Sequence, residues 1–223
     1  MLRYIPLLLT AALCSPALAD SITVLSETYH VTGSLVDKLA GTSTSYDHTS
    51  GSAVADELVA IPGLWETRSS AGPMFVMSAA GVGGDNEHGA LASATADIVF
   101  LPNANLLELA LAGQTAGFTT VTVTLTDLVT SAVLFHQTYN DLSVQPVLFS
   151  SADSLAIVGS HSHLLRLTSS SVGPDFSVAE SGVAASLNVV PLPAAAWGGM
   201  ALLGGLGITN RIRRRKDTSV DVA

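Results

Sequence analysis

Within residues 119–128, TTVTVTLTDL, hydroxyl and branched apolar side chains alternate from Thr120 to Thr126. Val121, Val123 and Leu125 share one face of this segment, and the threonines between them share the other. A period of two residues does not match the 3.6-residue period of an amphipathic helix, and it predicts a half-buried β-strand. The chain is therefore expected to fold around at least one sheet.

Nine further segments have strand character and are separated by turn signals such as Pro102-Asn103 and Gly173-Pro174-Asp175. They are residues 21–29, 74–80, 92–100, 106–112, 132–139, 144–149, 164–168, 176–179 and 183–190. Their spacing of about ten residues, without intervening long helices, predicts an all-β fold, an antiparallel β-sandwich with a jelly-roll-like arrangement. Ala92, Ala94 and Ala96 fall on one face of their segment, which predicts close contact between two sheets.

Three segments are predicted to lie outside the strands. Ser34 and Gly41 are suitable caps for one short helix over residues 35–40. Residues 42–52 and 169–175 are rich in Ser, Thr, Gly and Pro, a composition that predicts loops.

The charge of this central body is strongly negative. Residues 20–190 contain sixteen acidic residues against Lys38, Arg68 and Arg166, so their formal charge is 3 − 16 = −13. This balance argues against a nucleic-acid partner, whose phosphates are bound by basic surfaces. It favours divalent cations, and calcium is the cation expected if the body binds one.

The N-terminus has the layout of a secretory signal peptide. Arg3 precedes an apolar run over residues 4–13, and Ala17-Leu18-Ala19 forms a small-x-small site before Asp20. A run of ten apolar residues is too short to span a bilayer, which takes about 20. We therefore predict export through the Sec machinery, with cleavage between Ala19 and Asp20.

The only cysteine, Cys14, lies within this signal segment. A lipoprotein would acylate it, but bulky Leu13 stands where a lipobox has a small residue. Removal of residues 1–19 leaves a mature chain without cysteine, which excludes disulfides and thiolate metal sites.

The C-terminus contains an apolar segment followed by a basic cluster. Residues 194–208 carry no charge and would form a helix of about 22 Å at 1.5 Å per residue. Together with residues 189–193 they approach the hydrocarbon thickness of about 30 Å. The basic cluster consists of Arg211, Arg213, Arg214, Arg215 and Lys216. Positive charge beside a span remains cytoplasmic, so the body is predicted to lie on the opposite side.

Just before this helix stands the motif Val190, Pro191, Leu192, Pro193, Ala194. Two prolines separated by one residue keep the chain extended ahead of the membrane. The order of signal peptide, body, proline motif, short apolar helix and basic cluster resembles the PEP-CTERM sorting architecture in its VPLPA-CTERM variant. Leu192 stands where the better-known Pro-Glu-Pro form has glutamate. The resemblance covers about 27 residues and implies export, an inner-membrane intermediate, processing by an exosortase and an association with exopolysaccharide.

These features predict four parts. Residues 1–19 are the signal peptide, and residues 20–189 form the extracytoplasmic β-sandwich domain. Residues 190–216 are the sorting segment, with its motif at 190–194, one transmembrane helix at 194–208 and the basic cluster at 211–216. Residues 217–223 are a cytoplasmic tail. The body is predicted to reach the periplasm and then the cell surface or extracellular space.

Two groups of side chains are weak candidates for metal ligands. On a strand, His161 and His163 would point to one face about 7 Å apart, with His136 or Asp153 as a third ligand. Asp85 and Glu87 follow a glycine cluster, but their spacing does not match a known calcium loop. Exposed turn residues are the more ordinary interpretation of both groups, so no metal or other cofactor is predicted.

No catalytic motif is found. A nucleophile elbow, a zincin motif and a P-loop are all absent from the sequence. A non-enzymatic structural or adhesive surface protein is therefore the leading hypothesis. The alternative is a carbohydrate- or calcium-binding module or a glycan-active hydrolase, in which Asp56 or Glu57 would pair with Glu66.

Overall fold

A computed structural model describes residues 22–37, 41–61, 65–82, 88–142, 145–173 and 177–190. These residues form twelve strands and no helix. The strands are β1 (Ile22–Asp37), β2 (Thr42–Ser50), β3 (Val54–Ile61), β4 (Trp65–Gly72), β5 (Phe75–Val82), β6 (His88–Pro102), β7 (Leu106–Ala116), β8 (Phe118–Asp127), β9 (Val133–Asp141), β10 (Val147–Ala156), β11 (His163–Gly173) and β12 (Ser177–Val189). Among the described residues, nothing has the length and apolar helical character needed to cross a bilayer.

Two antiparallel six-stranded sheets face each other. Sheet A has the order β2-β1-β6-β11-β8-β9, and sheet B has the order β10-β7-β12-β5-β4-β3. The last eight strands pair as nested hairpins, β8 with β9, β7 with β10, β6 with β11 and β5 with β12. This is the connectivity of a jelly roll. The hairpins β1-β2 and β3-β4 extend one side of each sheet. The predicted all-β sandwich is confirmed.

Alternation decides which side chains enter the core. In β8 the apolar residues at 121, 123 and 125 are fully buried, and the threonines between them face outward. β6 buries alanines over its first half and then Ile98 and Phe100. The core is accordingly built from small side chains toward one end of the sandwich and from large leucines and Phe100 toward the other.

Three local predictions were wrong. The predicted helix over residues 35–40 begins as strand, because Leu35 is buried and Leu35 to Asp37 pair with both β2 and β6. The predicted loop over residues 42–52 is largely strand β2, which completes a hairpin with β1. The predicted loop over residues 169–175 is strand as far as Gly173, and Ser169 and Ser171 are inside the core.

Two glycines have a specific structural role. Gly117 forms the single-residue connection between β7 and β8 with a φ of 76°, a conformation that other residues adopt only with strain. Gly33 lies under the ring of Tyr46, and a Cβ atom at this position would overlap that ring. Tyr46 is a short-range neighbour in the β1-β2 hairpin, and its hydroxyl contacts Ser69 of sheet B.

Candidate binding face

Polar side chains occupy the middle of the outer face of sheet A, where the outward positions of β6, β11 and β8 are threonine, serine, Asp97 and Arg166. Strand register aligns six of these positions in one row that crosses the whole sheet. The row is Thr49, His30, Thr95, Thr168, Thr122 and Thr138, in spatial order. Neighbouring strands are about 4.8 Å apart, so the row repeats its polar groups at this interval.

The next row along the strands carries charge. It consists of Thr28, Asp97, Arg166, Thr124 and His136, in spatial order. We call these two rows together the hydroxyl face. Of the seven threonines in these rows, three are exposed and four are half-buried, so the rows are accessible from solvent.

A shallow depression of about 380 Å³ lies in the hydroxyl face. Seven residues line it: Thr28, His30, Thr49, Thr95, Asp97, Arg166 and Thr168. They come from four adjacent strands, β1, β2, β6 and β11. The depression is therefore a property of the assembled sheet and is built from residues up to 140 positions apart (168 − 28).

An ion pair fixes the floor of this depression. Arg166 donates from Nε to Asp97 Oδ1 at 2.7 Å and from Nη2 to Asp97 Oδ2 at 2.6 Å. The bond to Asp97 raises the pKa of Arg166 above its ordinary value, although partial burial opposes this effect. Such two-point pairing holds both side chains in a defined geometry. At the rim, His30 Nε2 lies 2.9 Å from Asp47 Oδ1.

An apolar strip borders the hydroxyl face further along the same three central strands. Leu91, Val172 and Phe118 are in register on β6, β11 and β8, and each is about half exposed. The outer face of sheet A thus offers hydroxyls, one fixed ion pair and an adjacent apolar strip. This combination suits a flat ligand that has many hydroxyl groups and apolar C–H surfaces.

The histidine pair is not arranged as a metal site. β11 begins at His163, so His161 lies in the preceding loop and the two rings do not share a strand face. His161 Nδ1 lies 2.7 Å from Asp127 Oδ2, and His163 is fully buried. The expected partners are elsewhere, with His136 on the outer face of sheet A and Asp153 on β10 of sheet B. The described residues contain no group of three or more His, Cys, Asp or Glu side chains that could hold a metal ion.

The Asp127 and His161 pair instead connects two loops. Asp127 Oδ1 accepts hydrogen bonds from the backbone N–H groups of Val129 and Thr130, at 2.8 and 3.2 Å. The bond to His161 is the main reason that the pKa of Asp127 lies well below its usual range, and these backbone bonds add to it. The β8-β9 turn and the β10-β11 loop are also joined through the backbone by Leu128 N–H and Ser162 O at 2.9 Å.

His163 is an isolated imidazole in the core. Its ring stacks on Phe100 with centroids 5.8 Å apart, and its Nδ1 lies 2.9 Å from the carbonyl oxygen of His161. Its Nε2 has no hydrogen-bond partner among the described residues. Burial lowers the pKa of His163, although the His161 carbonyl and the Asp127 charge act in the opposite direction. The ring is therefore neutral at pH 7.

The remaining acidic candidates are divided between the two faces of sheet B. Asp56 is in register with buried Ser69 and pairs with His48 at 2.7 Å at the edge of the sandwich. Glu66 occupies the opposite phase of sheet B and pairs with Arg68 at 3.1 Å. Asp56 and Glu66 thus lie on different faces of one sheet and do not form a pair across a glycosidic bond. Glu57 is in register with Arg68 and so has the same phase as Glu66. Asp85 and Glu87 lie outside the described residues.

The predicted targeting features also lie outside the described residues, except for Val190, which follows β12 in a non-strand conformation. They are the signal cleavage position at Ala19 and Asp20, the remainder of the sorting motif, the helix at 194–208 and the basic cluster at 211–216. Each stays a prediction.

Sequence reasoning missed a buried serine cluster formed by Ser78, Ser169, Ser171 and Ser181. Ser78 Oγ lies 2.8 Å from the hydroxyls of Ser169 and Ser171, which belong to the other sheet. Ser181 completes the cluster through Ser169 at 2.7 Å. The serines of β11 are three consecutive residues, 169–171, so they gave no alternating strand signal and their polarity favoured a loop.

Comparisons with known proteins give no family. No family model matches the chain, and no curated protein matches it significantly. A solved structure of bacteriophage CBA120 tailspike protein 4 aligns at 10% identity and a TM-score of 0.33 over 61% of this chain and 19% of that one. The chain therefore spans about a fifth of the tailspike structure it matches.

Two carbohydrate-binding modules align more completely but less closely. The family 11 module from Clostridium thermocellum aligns at 9% identity and a TM-score of 0.21 over 70% of this chain and 94% of that one. A carbohydrate-binding module of the β-sandwich superfamily aligns at 9% identity and a TM-score of 0.21 over 77% and 88%. Likeness of this degree does not extend to function.

Proposed function

We propose that this protein is an exported cell-surface protein with a structural or adhesive role, and that its jelly-roll body contacts exopolysaccharide through the hydroxyl face. The observation that supports this proposal is the row of five threonines and His30 that crosses all six strands, together with the depression that contains the Asp97–Arg166 ion pair. A regular polar row matches a ligand that itself repeats hydroxyl groups along a chain.

The chemistry of the face fits a neutral or weakly charged glycan. Each threonine hydroxyl both donates and accepts, as sugar hydroxyls do. Asp97 supplies charged acceptor oxygens and Arg166 supplies charged donors, and hydrogen bonds to charged groups are the stronger ones. The face is shallow and open, so a single copy is expected to bind weakly. Many copies on one cell surface would bind a polymer tightly through multivalency.

The test is titration calorimetry of the mature chain with a panel of purified bacterial exopolysaccharides. We expect Thr95→Val with Thr168→Val to weaken binding about five- to a hundredfold, since each lost hydrogen bond is worth roughly 0.5–1.5 kcal/mol. Thr126→Val is the matched control, because it makes the same change on an outward position of β8 that does not line the depression. Absence of heat with every polysaccharide, or equal loss in the control, would contradict the assignment of the face.

We further propose that the ends of the chain deliver this body. Residues 1–19 would direct Sec-dependent export, and residues 190–216 would hold the chain in the inner membrane, with the body in the periplasm and the C-terminus in the cytoplasm. An exosortase would then act at the motif 190–194 and release the body to the surface. The proposal is supported by the extent of the domain, whose last strand ends at Val189, just before the motif. Mass spectrometry of the exported protein should find Asp20 as its first residue.

A further inference from the structure

Register shows which connections gather at the end of the sandwich where the chain leaves it. Val189, the last residue of β12, pairs with Leu107 at the start of β7, and Leu106 pairs with Ala156 at the end of β10. His163 at the start of β11 pairs with both Phe100 and Asp127. We call this the exit end. Five connections lie there: residues 51–53, 73–74, 103–105, 128–132 and 157–162.

The five connections at the exit end are uncharged although the body is strongly acidic. The chain also enters β1 at this end, where Ile22 pairs with Pro102 and Asp20 stands two residues earlier in the sequence. None of its five connections contains Asp, Glu, Lys or Arg. The connections at the opposite ends of the strands, by contrast, contain Lys38, Asp85, Glu87 and Asp175 in their sequence. Asp127 is the one acidic residue that terminates a described strand at the exit end, and it is buried and paired with His161.

Aliphatic side chains project from two of these uncharged connections. Leu128 and Val129 of the β8-β9 turn are 42% and 62% exposed, and Val158 of the β10-β11 loop is 45% exposed. Two hydrogen bonds hold these loops in place: Leu128 N–H donates to the backbone oxygen of Ser162, and Gly159 N–H donates to the side-chain Oδ1 of Asn105 at 3.0 Å. The three exposed aliphatic side chains therefore lie on loops that hydrogen bonds hold in a defined position.

The length of the following chain connects this end to a membrane. On the proposed function, the membrane helix begins at Ala194, and at about 3.5 Å per residue the chain from Val189 to Ala194 reaches no further than about 18 Å. A domain tethered so closely must keep its exit end near the lipid headgroups. Uncharged connections with exposed aliphatic tips are suited to that interface, whereas an acidic surface would be repelled by anionic lipids.

We propose that Leu128, Val129 and Val158 form a membrane-docking surface that seats the exit end of the domain on the outer surface of the inner membrane. Docking would hold the sorting motif at the bilayer surface, where a membrane-embedded processing enzyme could reach it. This inference rests on the proposed function, because it requires the C-terminal anchor.

The cysteine-free mature chain allows a direct test. Val129→Cys and Val158→Cys are each labelled with an environment-sensitive fluorophore in the mature full-length chain, which is then reconstituted into phosphatidylethanolamine–phosphatidylglycerol vesicles. Leu142→Cys is the matched control, since Leu142 is also aliphatic and is 76% exposed but follows β9 at the opposite end. Flotation of the vesicles reports anchoring independently of the fluorophores.

We expect the labels at 129 and 158 to shift to the blue and to be quenched severalfold more strongly by lipid-borne nitroxides than the label at 142. Flotation with all three labels in water would overturn the docking surface and leave the proposed function standing. Failure to float would overturn the anchor and the docking surface with it. As a second readout, Val129→Asp with Val158→Asp should abolish the shift of a label at Leu128→Cys without changing the unfolding midpoint.

Discussion

The four buried serines between the two sheets form hydrogen bonds with one another. The Ser78 hydroxyl contacts the hydroxyls of Ser169, Ser171 and Ser181, which lie 91 to 103 positions away in the chain. Buried hydroxyls are costly unless paired, so this cluster stabilises only the arrangement in which β5, β11 and β12 are all in register.

Ser78→Ala is therefore expected to lower the free energy of unfolding by about 1–3 kcal/mol, because it leaves neighbouring hydroxyls underbonded. Urea denaturation of the mature chain measures this change. Ser170→Ala, on β11 but on its outward phase, should change stability by less than about 0.5 kcal/mol. Equal effects of the two substitutions would mean that the cluster is energetically irrelevant.

His163 makes the stability of the domain depend on pH. Its folded-state pKa is depressed below the ordinary value of about 6.5, so the unfolded chain binds a proton that the folded chain does not. Stability from this residue is fully present above about pH 6.5 and is lost as pH falls toward the folded pKa.

We expect the free energy of unfolding to decline between pH 7 and pH 5 and the decline to be shallower in His163→Leu, which cannot be protonated. The comparison of slopes isolates His163 from the other histidines. Work above pH 5 also avoids protonation of Asp127, whose contribution is lost only at more acidic pH.

At the scale of elements, the β1-β2 hairpin is fixed by the fit of Tyr46 over Gly33. The Tyr46 hydroxyl contacts Ser69, and Ser69 Oγ in turn donates to the backbone oxygen of Thr32 at 2.9 Å. One tyrosine therefore links the hairpin extension of sheet A to β4 of sheet B.

Gly33→Ala is expected to displace the Tyr46 ring and to destabilise the domain by about 1–3 kcal/mol, the usual cost of overpacking. Gly89→Ala provides the matched control, because an added Cβ there has no neighbour within 4 Å. It should be neutral or stabilising by up to about 1 kcal/mol. Thermal unfolding of both variants distinguishes them, and a Gly33→Ala protein as stable as the control would contradict the packing argument.

The strands that could be predicted were those whose own residues alternate. β8 and the centre of β6 carry apolar and polar residues in strict turn, so local pattern and final burial agree. The sequences of β2 and of the end of β11 predict loops, because Ser and Thr favour turns unless a neighbouring strand pairs with them. β2 is a strand because it pairs with the preceding strand β1, which was itself only partly predicted. The end of β11 depends on partners distant in sequence, namely β6 for pairing and Ser78 for its hydroxyls.

The candidate site followed the same division. The threonines of β8 could be predicted to face outward, but the row across six strands could not, because register is a property of the assembled sheet. The ion pair of Asp97 and Arg166 joins residues 69 positions apart and gave no local signal. Only the targeting features, which are contiguous in sequence, could be proposed entirely from the sequence.

In the whole domain, the hydroxyl face and the exit end are different surfaces. The hydroxyl face occupies the outer surface of sheet A, and the exit end surrounds the point where β12 gives way to residue 190. A domain seated by its exit end would keep the hydroxyl face beside the membrane plane, open to polymer in the surrounding space.

On the proposed function, residues 190–216 direct the location and processing of the exported body. Fractionation of cells that produce the full chain or a chain lacking residues 190–216, followed by mass measurement of the body, tests it most directly. We predict that the full chain passes through the inner-membrane fraction and yields a shortened surface form, whereas the deletion variant is released without a membrane-bound intermediate. Identical location of the two proteins, with a difference in mass equal only to the deleted residues, would contradict the claim.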